Sequence, residues 1–419
     1  MTSSIASTPA GTTASAISSV SETSPFGRIG RLTVERSALP ALRDVWRELI
    51  TRARTRNIFV DWEFISTWWD HFRGDRAGRV YTVQDERGRV VAIVPLYVET
   101  TRLRFGCVRV LRNVGHGDVI NPDFLDALVV PGLEPMVARA LAPYLIADAE
   151  WEYARWSDLV DDGSLVRIAR ELDRVTELEL QKEQRSLCPY VSLPQEFDQY
   201  LATCSSTFRH KIRQRSRKIE RDLKVSWQRV GGDIGVSTGI ALLTRLHQQR
   251  MESTGRGGNF RKGRYREFHR ELSERLARRG KLFFWVLFTE GQPFASEYGY
   301  LDRGVFYGYQ MGFDPRYRSW SPGTYMMAVT MRKLIEEEGA HEMNFLRGTD
   351  DWKFRWTDEA RPTVSLTLTR PGWRSHLARL RAGLSGPPAL VLRFLIGRDS
   401  FNELRSTMRR FRRQLRRSV

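Results

Sequence analysis

The sequence predicts an α+β (α/β) chain of two tandem lobes, each a mixed, mostly antiparallel sheet flanked by helices. Three observations predict it. Short strand-like runs bounded by Gly, Asp and Gln turns recur in both halves. In each half the runs lead into a segment of helical periodicity and then a further strand. At 419 residues, 41% hydrophobic and 28% charged, the chain is long enough for two cores of ordinary globular composition.

Residues 1–27 are rich in Ser, Thr and Ala but lack a basic start and a continuous apolar run, so they read as a disordered leader rather than a signal peptide. The first lobe is placed at 28–185. Leu42, Val45, Trp46 and Leu49 form one stripe of a helix over 40–54, and Asp61 caps a second helix. The aromatic cluster Trp62, Phe64, Trp68, Trp69 and Phe72 reads as core before it reads as a ligand platform. A hairpin over 79–85 and 89–98 turns at Glu86-Arg87-Gly88. Strands near 104–113 and 126–130, a helix near 134–147 and a strand near 151–156 complete the order. The string Asn113 to Asp118, with two glycines around His116, has two readings: a strand-to-loop turn, or a loop that brings His116 and Asp118 to a cleft between the lobes.

The second lobe is placed at 186–370. Residues 205–224 carry eight Lys or Arg around a narrow apolar stripe of Phe208, Ile212, Ile219 and Leu223, a helix whose basic outer face exceeds what solubility requires and suits an anionic partner. Three strands follow, Lys281 to Glu290, Pro293 to Leu301 and Val305 to Met311. A helix begins at Ser321 and Pro322 and stops before Gly339, followed by strands at Glu342 to Leu346 and Thr363 to Thr369. The first-turn amides of that helix, from Gly323 onward, offer a place for a phosphate, with Arg316 and Arg318 just ahead of it.

The final segment, 371–419, is an Arg-rich tail. From Arg370 onward, 13 arginines face two acidic residues, which supplies eleven of the eighteen net positive charges. Phe401, Leu404, Met408, Phe411 and Leu415 recur at helical spacing opposite arginines, a pattern suited to an anionic membrane surface or to packing on the lobe. No apolar run reaches the roughly 20 residues needed to span a bilayer. Three cysteines without paired spacing argue against a disulfide framework and place the chain in a reducing cytoplasm, with the tail allowing contact at the inner membrane face. The histidines are dispersed, so no metal site is expected. Nucleic acid also fits the charge, but zinc-finger, RNA-recognition and basic leucine-zipper signatures are missing.

An ordered series of strings in the second half resembles the acetyltransferase domain of the CelD/BcsL family, a GNAT branch associated with cellulose and exopolysaccharide production and related to Fem-type aminoacyl transferases. The series is L-P-Q-E-F-D-Q-Y-L, L-H-Q-Q-R at 246–250, G-F-D-P-R-Y at 312–317, Ser321-Pro322-Gly323, and F-L-R-G-T-D-D-W-K-F-R-W at 345–356. The resemblance implies two acyl-CoA N-acyltransferase-type (GNAT-like) lobes, the first degenerate. It implies acyl-CoA, for instance acetyl-CoA, as co-substrate, no metal, and a saccharide or nucleotide-sugar acceptor in polysaccharide or envelope biosynthesis. Two departures stand out. The usual glycine-rich phosphate loop is reduced to Gly323, and Asn344 and Trp352 replace the acidic residue and the Tyr that the family often carries.

Acyl transfer to an amine or hydroxyl needs a base for the acceptor's proton and a donor for the thiolate or oxyanion. Glu297 lies on the strand beside the acyl-CoA split, and Tyr309, alternating with Tyr307, is a candidate acid. Asp314 is a candidate base, although Asp before Pro also forms turns. Lys353 is a further catalytic candidate, because its string resembles the Fem-type aromatic-Lys-x-x-aromatic pattern whose lysine sits at the active site, and it could equally be a surface lysine. Arg316, Arg318, Ser321, Gly323 and Thr324 are the expected pyrophosphate residues. His247, His116, Asp118, Arg347, Trp352 and Arg355 are expected to contact the acceptor. Two other functions fit the same residues: transfer from aminoacyl-tRNA, and a non-catalytic scaffold that binds anionic carbohydrate at a membrane.

Overall fold

The computed structural model describes residues 22–24, 27–29, 32–103, 106–117, 119–255 and 257–384. The amphipathic segment expected in the tail at 401–415 lies outside them, as does Asp118. Strands β1 (Glu22–Ser24) and β2 (Gly27–Ile29) pair only with each other. The first lobe contains β3 (Thr33–Ser37), α1 (Arg43–Leu49), α2 (Trp62–Phe72), β4 (Ala77–Gln84), β5 (Val90–Leu103), β6 (Gly106–Asn113), β7 (Leu128–Val129), α3 (Glu134–Ala147), β8 (Tyr153–Val160), α4 (Ser164–Val175) and β9 (Glu179–Ser192). After it come α5 (Phe197–Thr203), α6 (Ser206–Leu223), β10 (Ser226–Arg229), α7 (Val236–Glu252), α8 (Gly263–Ala277), β11 (Leu282–Thr289), β12 (Gln292–Asp302), β13 (Val305–Phe313), α9 (Pro322–Glu336), β14 (Glu342–Asn344), β15 (Ala360–Thr369) and α10 (Trp373–Leu384).

The two lobes repeat one order: strand, two helices, three antiparallel strands, a crossover helix and a parallel strand. The first copy runs from β3 to β8 and the second from β10 to β14, so α5 and α6 are additional to the repeat. A helix must make each crossover because parallel strands cannot be joined by a tight hairpin. In both copies the parallel contact is brief. Val110–Arg112 pair with Tyr153–Arg155, and Val305–Tyr307 pair with Glu342–Asn344. Past Tyr307, β13 continues to Phe313 while β14 stops, so the two strands part.

The lobes share one sheet of order β10-β11-β12-β13-β14-β9-β15-β8-β6-β5-β4-β3, with β7 on β5. β15 crosses from the second lobe to lie between β8 and β9, and the end of β9 pairs with β14. A division at residue 185 therefore falls inside β9, and neither lobe presents an open edge at the junction. The junction is also a core. Phe64 and Phe72 of α2 pack on Phe268 of α8 at ring distances of 5.6 and 5.5 Å. Lys281 bridges Asp61 and Asp302 beside them. The cluster of Trp62, Phe64, Trp68, Trp69 and Phe72 is buried and forms core.

Candidate active site

Where β13 and β14 part, a cleft of about 700 Å³ opens, walled by β12, β13, α6, α7, α9, the 345–356 segment and residues 119–123 of the first lobe. Local backbone geometry shapes its centre. The pairing of β12 with β13 passes from Tyr298 opposite Gln310 to Gly299 opposite Gly308, leaving Tyr309 as the extra residue of a β-bulge. A bulge bends its strand and re-aims the side chain it carries. Tyr309 thus faces the cleft, half-buried, with its ring 4.8 Å from that of His269. Glycine is required nearby at 299, where a Cβ would lie 2.4 Å from the carbonyl oxygen of Tyr307.

Glu297 lines the cleft and is 2% exposed. Its Oε2 has no hydrogen-bond partner, and its Oε1 stands 3.8 Å from where a Cβ on Gly308 would be. Burial pushes its carboxyl up to about 8, with the charge of Arg250 on α7 pulling the other way. A carboxyl tuned to this range both holds and releases a proton near neutral pH, which is the property a general base requires. Tyr309 is raised to about 12 by burial, so it is a neutral phenol with a proton to give. His247, also on the cleft wall, is held down to about 4 by burial and by Arg250, and packs its ring on Phe260 at 5.2 Å. It is therefore neutral at physiological pH and can serve as a hydrogen-bonding group.

The 345–356 segment is held from within. Lys353 is 6% exposed, and its Nζ donates to the carbonyls of Phe345, Leu346 and Arg347 at 2.8, 2.9 and 2.6 Å. All three ammonium hydrogens are thus spent on the backbone, and burial lowers its pKa. Lys353 is neither a surface lysine nor a free donor to the reaction; it fixes the wall of the cleft. Arg347 reaches into the first lobe, where its guanidinium meets Asp123 Oδ1 at 2.8 Å and Asp158 Oδ2 at 3.1 Å, while its amide donates to Asp123 Oδ2 at 2.9 Å. His116 Nε2 meets the same Asp158 oxygen at 3.1 Å, so His116 stands one link behind the cleft wall. Phe124, Asp158 and Leu346 all have positive φ, placing three strained backbone positions around this cluster.

The expected phosphate residues are arranged differently from the sequence reading. Ser321 precedes α9, yet its φ of 55° turns its side chain away from a capping bond. Pro322 has no N–H, and the amides of Thr324 and Tyr325 donate to Ser321 O at 3.0 and 3.3 Å. Asp314 caps the six-residue 3₁₀-helix Pro315–Trp320 through the amide of Arg316 and pairs with the Arg316 side chain at 2.7 Å. Burial opposes its charge, but the Arg316 hydrogen bonds prevail and keep Asp314 below the usual carboxylate range, so it is a turn former and a poor base. Arg318 donates to Ser253 Oγ at 2.8 Å. Asp314, Arg316, Arg318 and Ser321 stand outside the cleft lining; Gly323, Thr324, Arg347, Trp352 and Arg355 are part of it. Among the described residues no group of three or more His, Cys, Asp or Glu is placed to hold a metal.

Residues 206–354 match the family profile described as "Acetyltransferase (GNAT) domain". This segment is a GNAT acetyltransferase domain. Acyl transfer is its class of chemistry, and the chain is an acyltransferase. No curated protein sequence matches. Among solved structures, the chain is similar to FemX at 11% identity, over 83% of this chain and 99% of that one, with a TM-score of 0.57. It is also similar to L-PGS from Bacillus licheniformis at 11% identity, over 82% and 95%, with a TM-score of 0.50. At these identities the likeness speaks for the fold, which in each case spans both lobes.

The cleft wall also holds residues that the sequence did not point to, Arg250, Asp123 and Arg215. Arg250 sits in the quoted L-H-Q-Q-R string, where only His247 was singled out. Asp123 lies in the other lobe, joined to Arg347 by the fold alone. Arg215 was hidden in a uniform basic run; its Nη1 donates to Thr324 Oγ1 at 3.0 Å and ties α6 to α9. The Lys353 contacts predict a separable effect. Lys353→Met keeps volume but strands three carbonyls, so chemical denaturation should show a loss of roughly 2–4 kcal/mol. Lys353→Arg should recover less than half of it, since a planar fork cannot match three converging acceptors.

Proposed function

We propose that the cleft moves an acyl group from acyl-CoA to an amino or hydroxyl group of a saccharide-type acceptor, with Glu297 as general base and Tyr309 as general acid. The acceptor's lone pair attacks the thioester carbonyl while Glu297 takes the acceptor proton. As the tetrahedral intermediate collapses and the C–S bond breaks, Tyr309 protonates the leaving thiolate. The observation that carries this reading is Glu297, a buried carboxylate with an unsatisfied oxygen and a pKa pushed up to about 8, at the point where two strands part.

A hydroxyl-rich acceptor is supported by the amide side chains of Asn121, Asn259 and Gln310 on the cleft wall. The placement in polysaccharide or envelope biosynthesis rests on the CelD/BcsL-like strings. A cytoplasmic location agrees with the free cysteines, and association with a membrane face rests on the Arg-rich tail. Among the described residues no helix is long and apolar enough to cross a membrane. A second reading, with aminoacyl-tRNA as donor, is favoured by the exposed basic face of α6, including Lys211, Arg213, Arg217 and Lys218.

The test is thiol release from acetyl-CoA and a longer acyl-CoA, each with amino sugars and nucleotide-linked sugars, followed by mass spectrometry of the acceptor. Acceptor-dependent release with an acylated sugar is expected. Thiol release absent with every pair, alongside transfer from aminoacyl-tRNA, would replace acyl-CoA by the second donor.

A further inference from the structure

We propose that the donor's phosphates are held not at the first turn of α9 but in a second groove, by Lys211 and Arg215 of α6 and Arg355 of the 345–356 segment; this rests on the acyl-CoA reading above. The groove has a volume of about 890 Å³ and lies between α5, the start of α6 and residues 354–359. It adjoins the catalytic cleft, and the two share Phe208, Arg215, Arg355 and Trp356 on their walls.

The first turn of α9 is poorly equipped for a pyrophosphate. Its proline has no N–H, two of its following amides return to Ser321 O, and the two arginines ahead of it are engaged by Asp314 and Ser253. A phosphate at a helix N-terminus needs several amides pointing outward. The second groove supplies charge in their place. Among the described residues no carboxylate pairs with Lys211, Arg215 or Arg355, and Arg215 makes only the neutral contact to Thr324. The two carboxylates on the groove wall, Asp358 and Glu359, pair with none of the three; Glu359 accepts from Tyr190 Oη and Ser192 Oγ at 3.4 and 3.2 Å.

The partition between cleft and groove suits the neutral arm that joins a thioester to its phosphates. Trp356 lies parallel to Tyr200 at 6.4 Å and edge-on to Phe208 at 5.1 Å, and the Tyr200 hydroxyl fixes Trp356 by donating to its carbonyl at 2.8 Å. The acyl end would sit against Glu297 and the phosphates beyond these three rings. On this account α5 and α6, which have no counterpart in the first lobe, replace the glycine-rich loop that the sequence lacks.

The test is calorimetric titration of the full chain with coenzyme A and separately with inorganic pyrophosphate, at about 0.15 M salt to weaken the tail's general attraction for anions. The variants are Lys211→Glu, Arg355→Glu, Gly323→Glu and, as a matched change of net charge away from the groove, Arg278→Glu. Lys211 and Arg355 are exposed, and unchanged melting curves would confirm that the variants are folded. Each groove variant should weaken both ligands by roughly tenfold or more, the loss expected for a charge-assisted contact, while Arg278→Glu stays within about twofold. Binding of pyrophosphate but not of coenzyme A, lost in the groove variants, would keep the phosphate site and reject acyl-CoA as donor. The proposal is overturned if the wild type binds neither ligand, if the groove variants bind as it does, or if only Gly323→Glu loses binding.

Discussion

Glu297→Gln should lower kcat about 10²–10⁴-fold, the range expected when a positioned general base is removed, while the affinity for the acyl donor changes little. The same substitution should make the protein more stable in mild alkali. The sign follows from linkage. The Glu297 carboxyl has a folded pKa of about 8 against an ordinary value of 4.5, so the folded state binds its proton more tightly than the unfolded chain does. Stability therefore falls as pH rises from about 4.5 to about 8, by about 1.4 kcal/mol for each pH unit. Gln at 297 carries no charge to bury, so urea midpoints measured at pH 5 and pH 9 should differ less in the variant than in the wild type. Loss of activity together with loss of stability at both pH values would instead assign Glu297 a packing role.

Arg347→Ala should destabilise the folded chain by about 3–5 kcal/mol, the cost of stranding buried charges when one partner of an ion pair is removed. Two carboxylates depend on this guanidinium. Asp123 is 2% exposed and Asp158 fully buried, and burial already raises the pKa of Asp123 in spite of Arg347. Arg347 is itself held charged: burial works against it, but Asp123 and Asp158 together raise its pKa. Because the cluster joins the 345–356 segment to the first lobe, the variant should also raise KM for the acceptor more than KM for the donor. Arg347→Lys should fall between the two, since an ammonium cannot contact both carboxylates in the forked geometry. A loss below about 1 kcal/mol by urea denaturation would show that the cluster does not couple the lobes.

Much of the second lobe was legible locally. Strands β11, β12 and β13 are runs rich in aromatic and aliphatic residues separated by Gly-containing turns, and α9 begins at Pro322 and ends ahead of Gly339 as those residues require. What escaped was set by long-range pairing or by backbone conformation. The insertion of β15 between β8 and β9 is invisible to local periodicity, because either strand could pair with any edge. Ser321 has the composition of a cap, yet its left-handed backbone prevents the capping bond. Simple alternation puts Tyr309 on the face of Tyr307, but the bulge that aims Tyr309 into a cleft that Tyr307 does not line leaves no mark in the sequence. Lys353 and Arg347 could be read as charged residues in an aromatic string, but not as groups whose partners are three carbonyls and two carboxylates. Those partners come from the loop's own fold and from the opposite lobe.

The most direct test of Glu297 as the base is the pH dependence of kcat/KM for acyl transfer between pH 6 and 9.5, in the wild type, in Arg250→Gln and in Glu297→Gln. The base acts deprotonated, so the wild-type rate should rise with pH through a single ionisation near 8 and level above it. Removing the attraction of Arg250 should move that midpoint upward, and Glu297→Gln should abolish the rise. A wild-type profile that is flat across this range, or a rise near 8 that persists in Glu297→Gln, would contradict the assignment.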